Sequence, residues 1–286
     1  MKLEAIELRA QAIKEIRRFF DEMGFLEVET PVRIKAPAPE PHIDCPPVST
    51  GGFLRASPEL QMKKLLAAGL DKIYQIGPCF RDGEIGSRHN SEFTMLEWYR
   101  SRATYLDIKE DFRRMFIMLK EKFSSRAKKE QCKIEEIPVR RAYIEFASWD
   151  PWEGEWNQDK FDYDMATIIE PELKRHEGVI LVDYPKPCAS LAKISGDVAQ
   201  RWEFYWRGVE LANCFTELCD SAEQARRFEE ARKERKALDE SPYPIDSNFL
   251  TEIAKIESAA GIAVGIDRLI MVLGDLSEIS QARVMD

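Results

Sequence analysis

Residues 77–100 read GPCFRDGEIGSRHNSEFTMLEWYR, and the reading of this stretch decides the fold. Just before it, Ile73-Tyr74-Gln75-Ile76 is a mostly apolar run that suits a buried strand entering from Lys72. At its far end Phe93-Thr94-Met95-Leu96-Glu97-Trp98-Tyr99 is rich in strand formers. Between the two lie Gly83, Gly86 and the polar set Arg81, Asp82, Glu84, Arg88, His89 and Asn90. Two strands joined this way form a hairpin with cations at its tip. Hairpin loops usually run ~2–5 residues, so the length and charge of this one suggest a site. A solvated surface loop is the alternative that composition alone leaves open.

The segments around the hairpin read in turn as helix, strand and extended chain. Leu3, Ile6, Ala10, Ile13, Ile16 and Phe20 recur every three to four residues, which predicts an amphipathic helix ending near Gly24. Residues 25–30 alternate as a strand up to Pro31. The prolines at 37, 39, 41, 46 and 47 predict irregular chain. Ser57 is expected to cap a helix that begins at Pro58 and runs to about Ala68. Residues 104–123 predict a helix, 124–136 an exposed charged segment, and 139–177 a broken helical region. Trp149, Trp152 and Trp156 in that region suit core anchors rather than a ligand cage. Residues 178–183 read as a buried strand.

Residues 202–215, WEFYWRGVELANCF, read as two strands turning at Arg207-Gly208. Alternation puts Glu203, Tyr205 and Arg207 on one face, and Glu210, Ala212 and Cys214 on one face of the second strand. Carboxylates in such strands are expensive to bury unpaired; either a bound metal ion or ordinary salt bridges would relieve them. Residues 221–238 predict a charged helix whose basic clusters suit a solvated face or an acidic partner, and Asp246 caps a helix to about Ser258. Near the end, residues 261–265 form a small-residue strand leading into an apolar helix with Arg268 in its first turn. A cation there opposes the helix dipole, which makes Arg268 a candidate anion ligand, with Gly265 permitting close backbone approach.

Composition narrows the classes. A chain of 286 residues with 44% hydrophobic residues can bury a sizeable core. A net charge of −9 argues against a broad nucleic-acid footprint. The six cysteines form no CxxC pair, which argues for free thiols over zinc ligands. No apolar run approaches the ~18 residues of a membrane span, and the N-terminus lacks a secretion signal, so a cytoplasmic protein is expected.

These segments resemble the three signature motifs of class II aminoacyl-tRNA synthetases: IRRFFDEMGFLEVETP at 16–31, Phe80-Arg81 through Glu97, and GIAVGIDRL at 261–269. HNSEFTMLEWY at 89–99 and GVELANCFTEL at 208–218 are most similar to the lysyl type. The first motif starting so near Met1 resembles the truncated lysyl-type paralogues that join (R)-β-lysine to elongation factor P. The resemblance implies an α+β catalytic domain over 1–286, an antiparallel sheet of about six strands flanked by helices, no N-terminal anticodon-binding barrel, and a homodimer. It implies an ATP- and Mg²⁺-dependent ligase that activates lysine or (R)-β-lysine as an adenylate and passes it to a lysine of elongation factor P. With the charge of −9 and the barrel expected to be missing, tRNA is the weaker candidate for acceptor. A catalytically silent paralogue is the other alternative.

The resemblance also assigns roles. Arg81 and Arg268 would be catalytic, clamping phosphates, with Arg88 and His89 near the phosphates, Asn90 near adenine and Phe93 stacked on it. Leu211 and Gly265 would complete the ATP site, and Glu203 and Glu210 would ligate Mg²⁺. Glu59 would take the substrate amino group, Glu217 and Tyr99 its distal ammonium, and Asn213 its carboxylate. Ser57 and Ala263 match the ligases, where the synthetases have alanine and glycine, and imply preference for the β isomer. In one departure, Gly83 stands where the family has a Glu, with Glu84 next in line to replace it.

Overall fold

The computed structural model describes residues 3–123 and 132–283. Its elements are α1 (Leu3–Glu22), β1 (Leu26–Glu27), β2 (Arg33–Ile34), β3 (Phe53–Leu54), α2 (Glu59–Ala67), β4 (Lys72–Phe80), β5 (Glu92–Ser101), α3 (Tyr105–Phe123) and β6 (Ile134–Pro138). There follow α4 (Val139–Ala142), α5 (Gln158–Asp164), α6 (Glu170–Leu173), β7 (Gly178–Pro185), β8 (Ile194–Ser195), β9 (Val198–Trp206), β10 (Val209–Thr216), α7 (Ser221–Ala237), α8 (Ser247–Ile253), β11 (Ala259–Gly265) and α9 (Ile266–Leu273).

The hairpin forms as the sequence predicts: β4 and β5 pair antiparallel from Lys72↔Arg100 to Phe80↔Glu92. The sheet around it is larger than expected. Its nine strands run β1-β4-β5-β11-β10-β9-β7-β6, with β8 on β9. Nor is it purely antiparallel, since β1 pairs parallel with β4 and β6 with β7. Parallel pairs need crossover connections, here α2 and its flanking chain on one side and α4–α6 on the other.

Period-two alternation divides the sheet. Leu96, Trp98, Trp202, Phe204, Trp206, Ile262 and Val264 point to one face, into a core shared with Ile16 and Phe20 of α1, Phe112 and Phe116 of α3, and Leu269 of α9. The opposite face stays partly open. Short elements cover its β7–β9 end, where Trp149, Trp152 and Trp156 pack against the Tyr143–Phe161 cluster as anchors. Helices α2, α7 and α8 cover its other flank.

Several expected boundaries shift for local reasons. The strand expected at 25–30 pairs only at Leu26–Glu27, because the Thr30 N–H donates to Gln75 Oε1 at 2.9 Å and Arg55 takes the Thr30 carbonyl at 2.8 Å. Side chains there replace the ladder before Pro31 ends it. Pro58, not Ser57, is the cap residue of α2; the Ser57 hydroxyl still accepts the Glu59 N–H at 3.0 Å but also donates to Glu97 Oε1 at 2.7 Å. Helix α8 starts at the Asp246 cap as expected but stops at Ile253, short of Ser258. Of the segment expected to be exposed, 124–131 lies outside the described residues, while Ile134–Pro138 forms β6.

The alternation read for β10 fails at a bulge. The register with β9 shifts between Glu210 and Ala212. Glu210 therefore shares a face with Asn213, while Ala212 and Cys214 turn into the core. One inserted residue reverses every side chain beyond it. No helix among the described residues is long and apolar enough to cross a membrane.

Candidate active site

The open face presents its side chains in rows across the strands. One row reads Gln75, Glu97, Ala263, Asn213, Glu203; the next reads Ile73, Tyr99, Gly261, Phe215, Arg201. Glu210 and Tyr205 pair beyond the first. Every residue expected in the site lines one cavity of about 300 Å³, except Glu203, which lies in an adjoining groove.

One end of the cavity is cationic. Arg81 Nη1 pairs with Glu84, the residue expected to replace the family's Glu at Gly83 in the ATP site, at 3.3 Å. The Arg81 guanidinium lies 5.2 Å from the centre of the Phe93 ring, and its Nε is buried without a hydrogen-bond partner. A guanidinium left in this state is set up for an anion. Arg268 reaches from the start of α9 to the Glu210 carbonyl (3.0 Å), Glu210 Oε2 (3.3 Å), the Arg88 carbonyl (3.2 Å) and His89 Nε2 (2.7 Å). Burial, then the Arg268 charge, lowers the His89 pKa, so the neutral ring accepts that bond. Arg88 donates to the Gly208 carbonyl at 3.0 Å, and Asn90 to the Glu92 carbonyl at 2.7 Å. The α9 turn that carries Arg268 is itself fixed: Asp267 accepts from Arg9 at 2.5 Å and from the Thr94 N–H at 2.8 Å.

The other end is anionic and buried. Glu97 and Glu217 are 1% and 3% exposed, and Lys63 is 1% exposed. Lys63 Nζ bridges Glu59 at 2.5 Å and Glu217. The two carboxylates expected to take the substrate's ammonium groups therefore already share an internal cation. Tyr99 donates to Glu97 Oε2 at 2.8 Å rather than to Glu217. Burial, then Glu59, pushes Glu97 up to about 7, against the hydrogen bonds from Ser57 and Tyr99. Burial also raises Glu217, opposed by Lys63 and reinforced by Glu59. For Lys63 burial works against the charge, but Glu217 and Glu59 outweigh it and hold the ammonium above its ordinary range. Gly261 makes the packing possible: a Cβ there would lie 2.2 Å from the Tyr99 ring.

Three carboxylates and one ammonium leave two negative charges when all are ionised, which is the complement of a substrate with two ammonium groups. Sequence reasoning missed two of these four. Glu97 carried a usable signal, a lone acid inside an apolar strand. Lys63 did not, because a Glu–Lys pair four residues apart on a helix reads as a solvated face.

Glu203 and Glu210, expected as metal ligands, behave differently. Glu203 accepts from Tyr184 at 2.6 Å, Tyr205 at 2.7 Å and Arg201, so salt bridging already offsets its burial. Burial, then the Glu203 charge, raises Glu210. Glu170 on α6 is pushed up to about 7 by burial, Glu210 and Glu203. No cluster of three or more ligating side chains that could hold a metal occurs among the described residues. Glu210, with Glu203 nearby on the neighbouring strand, would still suffice for Mg²⁺, which uses one or two carboxylates plus substrate phosphates.

The profile of the class II tRNA synthetases of the D, K and N types matches residues 2–285. The chain belongs to that family. It is also 34% identical to the elongation factor P–(R)-β-lysine ligase of Hamiltonella defensa, over 96% of this chain and 92% of that protein. The ligase of the same name from Proteus mirabilis is 34% identical over 95% and 91%, and that from Haemophilus influenzae strain PittGG 35% over 95% and 91%. The chain is thus an amino acid ligase of the class II synthetase type, a family whose chemistry uses ATP.

Proposed function

We propose that this chain activates (R)-β-lysine with ATP and transfers it to a lysine side chain of elongation factor P. The observation that carries the reading is one sheet face with a guanidinium pair at one end and, at the other, three carboxylates of which Lys63 offsets one. A diamino acid lies between them with its carboxylate toward Arg81 and its ammonium groups toward Glu59, Glu97 and Glu217. Asn213, held by Arg201 Nε at 3.2 Å, orients the substrate carboxylate. Arg81 and Arg268 hold the triphosphate so that the carboxylate meets the α-phosphorus, and they stabilise charge gathering on phosphate as pyrophosphate leaves. Phe93 supports adenine, with Arg88, His89, Asn90, Leu211 and Gly265 around the nucleotide. Mg²⁺ held by Glu210 and Glu203 would neutralise phosphate charge. The matched span acts as one catalytic domain, working in the cytoplasm as a homodimer through the first motif.

Incubation with ATP, (R)-β-lysine and elongation factor P, read by mass spectrometry, tests this. The expected result is a mass gain of one β-lysyl group on a single lysine. Lysylated tRNA in place of modified protein would overturn the choice of acceptor. Absence of pyrophosphate exchange with every lysine isomer would overturn catalysis itself.

A further inference from the structure

The proline-rich segment 36–47 borders the cavity, and it carries a carboxylate with no part in the chemistry above. Glu40 is half-buried, and its side chain makes no hydrogen bond or ion pair within the described residues. Its backbone is firmly held. Arg235, 2% exposed, donates to the carbonyls of Glu40, Pro41 and Ile43 at 3.0, 3.3 and 3.2 Å and to Asp44 at 2.6 Å. A carboxylate drawn partly out of water without a partner is unfavourable, and here the backbone around it is fixed while the side chain is left free.

Its position suggests why. Glu40 lines the central cavity and also a second, adjoining groove of about 740 Å³; the two share Glu40, Ser190 and Glu210. Glu40 therefore stands at the neck between them. The second groove is acidic, with seven carboxylates against four lysine and arginine side chains among its described lining. One of the seven, Glu234 on α7, is exposed and has no ion pair. Such a groove suits an incoming ammonium.

We propose that this groove admits the acceptor protein's lysine side chain and that Glu40 is the catalytic base at its inner end. This rests on the ligase reading above. Near neutral pH the acceptor is an ammonium, with a pKa of about 10.4, and cannot attack. Glu40 takes one proton from it. The freed lone pair forms the C–N bond at the adenylate carbonyl, the C–O bond to phosphate breaks with its electron pair leaving on AMP, and the second N–H proton passes to solvent. The setting suits a base: burial, then the charge of Glu59 on α2, raises the Glu40 carboxyl, while Arg81 of the hairpin, Arg201 of β9 and Lys63 of α2 oppose this.

The test resolves the two steps in Glu40→Gln and Glu40→Asp. Transfer from preformed adenylate to elongation factor P should fall about 10²-fold in Glu40→Gln, the range of general base catalysis, and at least tenfold more than pyrophosphate exchange falls. Glu40→Asp should recover part of the loss, and the Gln deficit should narrow toward pH 9 as solvent deprotonates the acceptor. Glu234→Lys should raise the KM for elongation factor P. Transfer by Glu40→Gln at the wild-type rate would overturn the inference alone; so would equal losses in both steps, which would put Glu40 in the amino-acid pocket. A wild-type enzyme that forms adenylate but never modifies elongation factor P would overturn the function reading, and this inference with it.

Discussion

The two ends of the cavity solve opposite problems. The cationic end joins the largely exposed hairpin loop to Arg268, the half-buried residue in the otherwise buried first turn of α9, and its guanidinium groups lean on backbone carbonyls, His89 and Glu84. Those contacts are easily exchanged for phosphate oxygens. The anionic end is built from α2 and adjacent strands, and its charges are buried, with Lys63 bridging Glu59 and Glu217 and offsetting one of the three carboxylates. A phosphate clamp must open to release pyrophosphate; a pocket that measures the distance between two ammonium groups must not move. The comparison teaches that this molecule places exchangeable partners where charge moves and fixed partners where it is counted.

The sharpest way to break the comparison is to remove a cation from the exchangeable end. Arg81→Ala should lower pyrophosphate exchange by about 10²–10³, the usual cost of deleting one preorganised donor to a developing anion. Because Arg81 contributes no core packing beyond its contact with Phe93, the melting temperature should shift little. A loss mainly in KM for the amino acid, with kcat intact, would show that Arg81 binds the ground state and would blur the division between the two ends.

The second test falls on the fixed end. Glu97, pushed up to about 7 by burial, then Glu59, is largely neutral at pH 6 and largely ionised at pH 8. An ionised carboxylate binds the substrate's ammonium and a neutral one does not, so the substrate KM should fall as pH rises from 6 to 8 and then level off. Glu97→Gln mimics the protonated state. It should raise KM about 10- to 100-fold at pH 8, as expected for a lost hydrogen bond to a charged group, and flatten the pH dependence. An unaltered profile in the variant would assign the titration to another group, Glu217 first.

How much of this was legible in the sequence depends on how local each cause is. The hairpin, α1 and the paired strands β9 and β10 follow from periodicity and turn residues close at hand. Glu203 and Tyr205 share a face because alternation holds through β9. The bulge at Glu210–Ala212 carries no signal that composition could reveal, so the facing read for β10 was wrong beyond one residue. The parallel pairings β1–β4 and β6–β7 are choices between distant segments, which alternation cannot make. In the site, the resemblance supplied the positions that line the cavity, but not their internal bonds. Lys63 bridging Glu59 and Glu217, and Ser57 and Tyr99 converging on Glu97, follow only once α2 is laid across the rows of the sheet.

The smallest expected effect is also the one that sharpens the comparison most. Ala263 occupies the middle of the row between Glu97 and Asn213, so in the proposed binding mode its methyl would face the substrate between its ammonium end and its carboxylate end. The α and β isomers of lysine differ in where the amino group sits between those ends. Removing the methyl in Ala263→Gly deepens the pocket at that point without touching any charge. A difference of one methyl is worth about 1–3 kcal/mol of discrimination, so the ratio of kcat/KM for (R)-β-lysine over α-lysine should fall by about tenfold, chiefly through better use of α-lysine. Ser57→Ala acts on the same row from just ahead of α2 by releasing Glu97 Oε1, and should change the pH at which KM levels off more than it changes the isomer ratio. If the two substitutions instead moved the ratio equally, selection would depend on the charge of Glu97 rather than on the shape beside it, and the fixed end would be measuring charge alone.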